Sequence, residues 1–242
     1  MLRAGIMALG CAALAALPAA GAAGASRELG GPTPTHAWTA RVLAPVTARV
    51  APRPSAHRAA DLQPLAPLAP RPLRGPTVLL VTGARRVDGR EWLRLLLPVR
   101  PNGTEGWVPA DLVRLNQTRL RILIDQSERR LVLFSGGREV VGVPVAIGAP
   151  GTPTPNGRFA VAEMLYTRTP GAFLGPVVFP LTGYSETLNE YAGGDGRVAI
   201  HGTSLPWLLG TRASHGCIRV ENRWIVRLSH VVRPGTPVEI RP

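Results

Sequence analysis

Lysine is absent from this chain of 242 residues; its 28 basic side chains are all arginines, set against 15 acidic ones, for a net charge of +13. The gap accompanies high alanine, 27 glycines and 25 prolines. That bias is expected of GC-rich codons, so the arginine count is no guide to function. The charge itself is physical and draws the protein toward anionic polymers such as a bacterial wall, a membrane surface or nucleic acid. Nucleic acid is the weaker partner, because no aromatic-plus-basic cluster and no nucleic-acid-binding motif occurs. Cysteine is nearly absent too, limited to Cys11 and Cys217. Long apolar runs are missing as well: the stretch from Ile6 to Leu17 is too short and too interrupted for a comfortable membrane span.

That stretch fits a secretory signal over residues 1–25. Arg3 supplies a positive start, Pro18 breaks the apolar run, and Ala20-Gly21-Ala22 and Ala23-Gly24-Ala25 are small-x-small cleavage sites. The protein is therefore expected to be exported to a cell wall, periplasmic space or the exterior. Membrane contact is expected only if the signal stays uncleaved or if Cys11, preceded by Leu9-Gly10, is lipidated. Cleavage after Ala25 leaves about 217 residues, enough for two modest domains. It also leaves Cys217 as the sole cysteine.

A single cysteine cannot form an intramolecular disulfide, so the usual reason for an extracellular cysteine is missing. The ordinary role of a lone cysteine is that of a small buried hydrophobe. Its neighbours argue otherwise. The run Ser214-His215-Gly216-Cys217-Ile218-Arg219-Val220 suits a tight turn that exposes a side chain and frees backbone N–H groups. A thiol with an ordinary pKa of about 8.5 is nucleophilic only as thiolate and needs an activator. His201, in Ile200-His201-Gly202-Thr203, and His215 are the two candidates. These histidines and Cys217 could instead ligate zinc, but the one-residue gap between His215 and Cys217 is unusual for a zinc site, and the ligand set is short. No metal or organic cofactor is expected.

Alternation and turn signals divide the rest. Residues 26–36 read as a Gly/Pro/Thr linker, and 37–115 as a small β module with turns at Asp88-Gly89 and Asn102-Gly103. Its Trp107-Val108-Pro109-Ala110-Asp111-Leu112-Val113 ending resembles bacterial SH3-like wall-associated modules, which implies a small barrel. Within it, Ala51 to Pro76 reads as a long polyproline-like loop. Residues 116–242 form a second, mostly β unit. Its strands include Leu120 to Ile124, a hairpin around Ser135-Gly136-Gly137, Arg158 to Ala162, Arg197 to His201 and Thr236 to Ile240, and one helix starts near Glu221-Asn222.

This second unit resembles the L,D-transpeptidase (YkuD-type) catalytic domain family. The resemblance covers the Ile122-Leu123-Ile124-Asp125 strand, the Gly-x-Pro-Gly-Thr-Pro-Thr-Pro-x-Gly-x-Phe segment from Gly148 to Phe159, Ile200 to Thr203, Ser214 to Arg219, and the closing Gly235 to Ile240. It implies a β-sandwich with a short helix, so the chain as a whole is expected to be mainly β. It also implies a peptidoglycan stem-peptide substrate, cut after the third stem residue with release of D-alanine and transfer of the acyl group to an amine of a neighbouring stem. By resemblance Cys217 is the nucleophile, His201 the general base and the Gly202 backbone carbonyl the third member, in place of an acidic residue. The N–H groups of His215, Gly216 and Cys217 would form the oxyanion hole, His215 would orient the loop or touch substrate, and Arg219 would hold a substrate carboxylate.

Ser214, Thr203 and Tyr184 are grouped with Arg219 as substrate-side residues. For Tyr184, Tyr191 and Trp207, which flank the site in sequence and could line the groove, ordinary packing is the preferred reading. An exported thiol enzyme of this kind is also expected to be trapped by a carbapenem. Water in place of the amine would make the protein an L,D-carboxypeptidase. A wall-binding protein without activity is the remaining alternative, and the presence of Cys217, His201 and the motif glycines speaks against it.

Overall fold

The computed structural model describes residues 29–69, 74–167, 169, 171–190 and 193–242. The expected signal over 1–25 and Tyr191 lie outside the described residues. Seven strands open the chain: β1 (Ala37–Val42), β2 (Val46–Arg49), β3 (Arg58–Leu62), β4 (Val78–Val87), β5 (Arg90–Leu96), β6 (Glu105–Pro109) and β7 (Val113–Thr118). They form one sheet in the order β3-β2-β6-β5-β4-β1-β7, closed over a core that includes Leu79, Val81, Leu93, Leu95, Leu97 and Val108. The β4–β5 hairpin turns at Asp88-Gly89, where both residues have positive φ, as a two-residue loop of the primed type requires.

Two expectations for this unit differ from what is found. Residues 58–62 are not loop: Arg58-Ala59-Ala60-Asp61-Leu62 pairs with β2, because this proline-free stretch alternates and buries Ala60 and Leu62. The first sheet also runs past residue 115, since β7 pairs with β1 as far as Thr118.

The second unit comprises β8 (Leu120–Asp125), β9 (Arg130–Ser135), β10 (Arg138–Pro144), β11 (Ile147–Gly148), β12 (Gly157–Ala160), β13 (Leu165–Tyr166), β14 (Val177–Tyr184), β15 (Arg197–His201), β16 (Arg212–Ser214), β17 (Ile218–Arg219), helix α1 (Asn222–Val231) and β18 (Pro237–Arg241). A five-stranded sheet, β10-β9-β8-β18-β12, faces a four-stranded one, β13-β14-β15-β17, and β11 pairs with β16 beside them. Ile122, Ile124, Leu131 and Leu133 from one sheet meet Phe179, Leu181, Ile200 and Ile218 from the other, with Ile225 and Leu228 of α1 closing the core. The protein is mainly β, and this unit is a β-sandwich with one short helix. Among the described residues no helix is long and apolar enough to cross a membrane.

β18 lies parallel to β8, and Asp125 ties their ends together. Its carboxylate accepts from Ser127 Oγ at 2.7 Å, from the Glu128 N–H at 3.0 Å and from Arg241 Nε at 2.9 Å. The Glu128 amide, then the Ser127 hydroxyl, and then Arg241 outweigh burial and hold the Asp125 pKa at about 2. Asp125→Asn is expected to cost about 2 kcal/mol of stability at pH 7. A depressed carboxylate contributes above its ordinary value of 3.8 and loses that contribution as the pH falls toward 2. Urea unfolding should therefore show the gap between wild type and variant closing across that interval.

Candidate active site

Parallel pairing of β15 with β17 sets Ile200 opposite Ile218 and His201 opposite Arg219. Side chains alternate along a strand, so Ile200 and Ile218 enter the core, where both are fully buried. Ala199, His201, Cys217 and Arg219 consequently share the other face. β14 extends that face, with Val178 beside His201 and Pro180 beside Ala199, while Phe179 and Leu181 pack in the core. These residues floor a cavity of about 520 Å³. Its walls come from Leu165, Phe173 and Leu174 on one side, from Ser185, Leu188 and residues 194–196 on another, and from Leu68 of the first unit.

His201 Nδ1 lies 2.6 Å from the carbonyl oxygen of Gly202. A carbonyl only accepts, so Nδ1 carries the proton and Nε2 is the basic nitrogen. Burial of the ring, 2% exposed, pushes its pKa down to about 4. The Gly202 carbonyl opposes that shift, the Arg219 charge adds to it, and the Leu174 carbonyl opposes it again. Burial raises the Cys217 thiol, against the pull of the Ala199 backbone amide and of Arg219. At neutral pH Cys217 is therefore a thiol and His201 a neutral imidazole.

The carbonyl that orients His201 is fixed by contacts the sequence did not disclose. A Cβ on Gly202 would run into Asn222 Oδ1 and approach Gly175 Cα to 2.9 Å and Pro176 Cδ to 3.0 Å. Asn222 Oδ1 also accepts the Thr203 N–H at 2.8 Å. Read from sequence, Asn222 marks only the start of a helix; in the fold its amide holds the His201-Gly202-Thr203 turn. An asparagine at a helix start was the one available signal, and it pointed to capping within the helix.

The loop that carries Cys217 is braced from two sides. Ser214 Oγ donates to the Cys217 carbonyl at 2.6 Å and accepts the Gly216 N–H at 3.1 Å. Behind it, Thr154 Oγ1 donates to the Gly216 carbonyl at 2.9 Å and accepts the Gly148 N–H at 2.9 Å, while Thr152 Oγ1 donates to the Ser214 carbonyl at 3.2 Å. The Thr-Pro-Thr-Pro segment is thus the backing of the thiol loop. Gly216 holds φ +113°, a conformation that favours glycine.

Cys217, His201, Ser214, His215 and Arg219 all border the cavity. Ser214 uses its hydroxyl within the loop, and the Gly216 N–H reserved above for an oxyanion is engaged by that hydroxyl in the resting site. Thr203 is buried away from the cavity, its hydroxyl accepting the Leu205 N–H at 2.9 Å. Tyr184 also lies off the cavity. Its hydroxyl donates to the Pro98 carbonyl at 2.7 Å, in the seam between the two units. Trp207 is 72% exposed and lines nothing in the cavity.

Arg219 is 4% exposed and stacks 4.8 Å from the Phe173 ring centre. Among the described residues it joins no ion pair, and its buried Nε has no hydrogen-bond partner. A guanidinium this dry and without a carboxylate is costly unless an anion joins it. A salt bridge, which would give Arg219 a purely structural role, is not found among the described residues. Among the described residues no group of three His, Cys, Asp or Glu side chains stands close enough to hold a metal ion.

A thiol, a neutral imidazole of fixed tautomer and a guanidinium without an ion pair among the described residues border one cavity. The L,D-transpeptidase catalytic domain (YkuD) profile matches residues 119–240, and the chain belongs to that family. A putative L,D-transpeptidase YkuD of Bacillus licheniformis is 34% identical over 122 residues, covering 50% of this chain and 66% of its own length. A probable L,D-transpeptidase YbiS of Escherichia coli K12 is 32% identical over 152 residues, covering 57% of this chain and 49% of its own. The solved structure of Bd1075 from Bdellovibrio bacteriovorus aligns over 51% of this chain and 48% of that one, with 29% identity and a TM-score of 0.41. The match spans between about half and two thirds of these relatives' length.

Proposed function

We propose that the protein is an exported L,D-transpeptidase that cross-links peptidoglycan stems through a thioester on Cys217. The observation that carries this reading is the β15–β17 pairing, which sets a neutral His201 on the same cavity face as the Cys217 thiol. His201 Nε2 takes the thiol proton as Sγ attacks the carbonyl carbon of the third stem residue, whose amide joins it to the terminal D-alanine. The tetrahedral oxyanion collapses, the imidazolium protonates the departing D-alanine nitrogen, and the acyl group remains on sulfur. An amine of a neighbouring stem then attacks the thioester and loses its proton to His201; the amide forms and the thiol is restored. The backbone amides of His215 and Cys217 would stabilise the developing oxyanion, and Gly216 would join them only by giving up its bond to Ser214.

Arg219, buried and unpaired, suits a stem carboxylate. The net charge of +13 suits the anionic wall. The absence of lysine has a use here: with no ε-amine in the chain, the thioester finds no side-chain acceptor of its own kind on the enzyme. The SH3-like reading of residues 37–115 belongs to this proposal and rests on the short sequence stretch alone.

A defined stem tetrapeptide incubated with the protein and followed by mass spectrometry tests the reading. Loss of one alanine together with a dimeric product is the expected result. Alanine loss alone would make the protein an L,D-carboxypeptidase, and intact peptide with measurable binding would leave a wall-binding protein.

A further inference from the structure

We propose that the first unit completes the catalytic cavity, with Arg100 as the positioning residue that holds the wall formed by Ser185, Leu188 and residues 194–196. The inference rests on the reading of this cavity as the stem-peptide site. Arg100 lies in the turn between β5 and β6, and its side chain reaches across the seam. Nη1 donates to the Ser185 carbonyl at 2.8 Å, and Nη2 donates to the carbonyls of Leu188 and Asp195, each at 3.1 Å. All three of those residues line the cavity. One planar guanidinium therefore gathers both limbs of the wall, a geometry a point-like ammonium does not match.

The neighbourhood is shaped for that reach. Gly196 holds φ +73°, and a Cβ there would strike the Leu188 carbonyl and come within 2.8 Å of Arg100 Nη2. Two guanidinium groups, those of Arg100 and Arg197, each lie 4.6 Å from the centre of the Tyr184 ring. Two turn residues on, Asn102 pairs in both directions with the Tyr184 backbone, donating to its carbonyl and accepting its N–H at 2.8 Å each. Among the described residues, bonds within the wall itself run from the Ser185 N–H to the Gly196 carbonyl at 2.8 Å, and from the Thr187 and Leu188 N–H groups to Ser185 Oγ at 3.3 and 3.1 Å. On the other rim Glu163, 3% exposed, accepts the Leu68 and Ala69 N–H groups at 3.0 and 3.3 Å. That contact brings Leu68 of the first unit to the cavity edge. A bound peptide would thus meet a wall that the first unit holds in place.

Arg100→Ala in the full chain tests this, and Arg100 is exposed, so the fold should survive its removal. KM for the stem tetrapeptide should rise about tenfold with kcat little changed. Amide hydrogen exchange at Thr187 and Leu188 should quicken, and Arg100→Lys should recover part of both effects. Alkylation of Cys217 by iodoacetamide should proceed at the wild-type rate, because a reagent that small needs no wall. Unchanged KM and unchanged exchange would overturn the proposal. So would a parallel loss of alkylation and turnover, which would mean that the nucleophile rather than the wall had moved. If the wild-type protein leaves the tetrapeptide intact, the functional reading fails, and the exchange comparison alone decides the role of Arg100. Should Arg100→Ala aggregate, Asn102→Ala puts the same wall to the same two measurements.

Discussion

Cys217→Ala is expected to reduce D-alanine release from a stem tetrapeptide by at least about 10⁴-fold, with the unfolding midpoint nearly unchanged. The size follows from what remains around the missing sulfur. The nearest hydroxyl in the loop, on Ser214, is already committed to the Cys217 carbonyl at 2.6 Å and cannot deputise. His201 would keep its tautomer, because the Gly202 carbonyl that sets it does not depend on the thiol. The backbone donors of the loop would also stay, since Thr154 and Ser214 hold them through main-chain contacts. A variant that still binds the peptide without cutting it is the predicted outcome. The same substitution should remove the covalent mass gain that a carbapenem produces on the wild-type protein. Retention of even a hundredth of the activity would show that another group makes the acyl bond.

His201→Ala should cost about 10³-fold in kcat/KM, the scale of a lost general base. The pH profile of the wild type is the sharper test. With its pKa near 4, His201 stays neutral and able to accept a proton through mildly acid solution. The acid limb of kcat/KM should therefore fall near pH 4 and not near the ordinary 6.5 of histidine. The same shift bears on folding. The unfolded chain takes up this proton between pH 6.5 and 4 while the folded one refuses it, so stability declines as the pH drops through that window. Unfolding midpoints at each pH separate loss of the fold from loss of the base. The thiol adds a second signature: burial raises it, so alkylation should climb with pH beyond the ordinary range and show no plateau between about pH 5 and 7. Such a plateau would mean a resting thiolate–imidazolium pair, contrary to the geometry described.

Much of this was legible in the residues, for physical reasons that differ from place to place. The Asp88-Gly89 turn, the hairpin around Gly136-Gly137 and α1 could be read because local chemistry decides them. β14 could not. Val-Val-Phe-Pro-Leu-Thr-Gly-Tyr lacks alternation because both of its faces are buried, one under the cavity and one in the core, and Pro180 argues against a central strand. At the site, Cys217 and His201 stood out by residue type and spacing. Asn222, Thr154 and Arg100 did not, since each acts on backbone far away in the chain, and nothing local marks a side chain whose partners are distant carbonyls and amides. Tyr184 was the opposite case: proximity in sequence suggested the groove, and its ring went to the seam between units.

His201 and Cys217 border one cavity because two strands lie side by side, although sixteen positions separate them in the chain. The excursion between them swings out through the short helical turn Pro206–Leu208, whose Trp207 is largely in solvent. Gly202 and Thr203 at one end of the excursion and Ser214 and Gly216 at the other hold the site, so only its tip around Pro206–Leu208 is uncoupled from the chemistry. Descendants of this domain can lengthen or rewrite that tip while the two ends stay in place, and a designer has there a natural point for grafting an affinity tag or a wall-directed peptide.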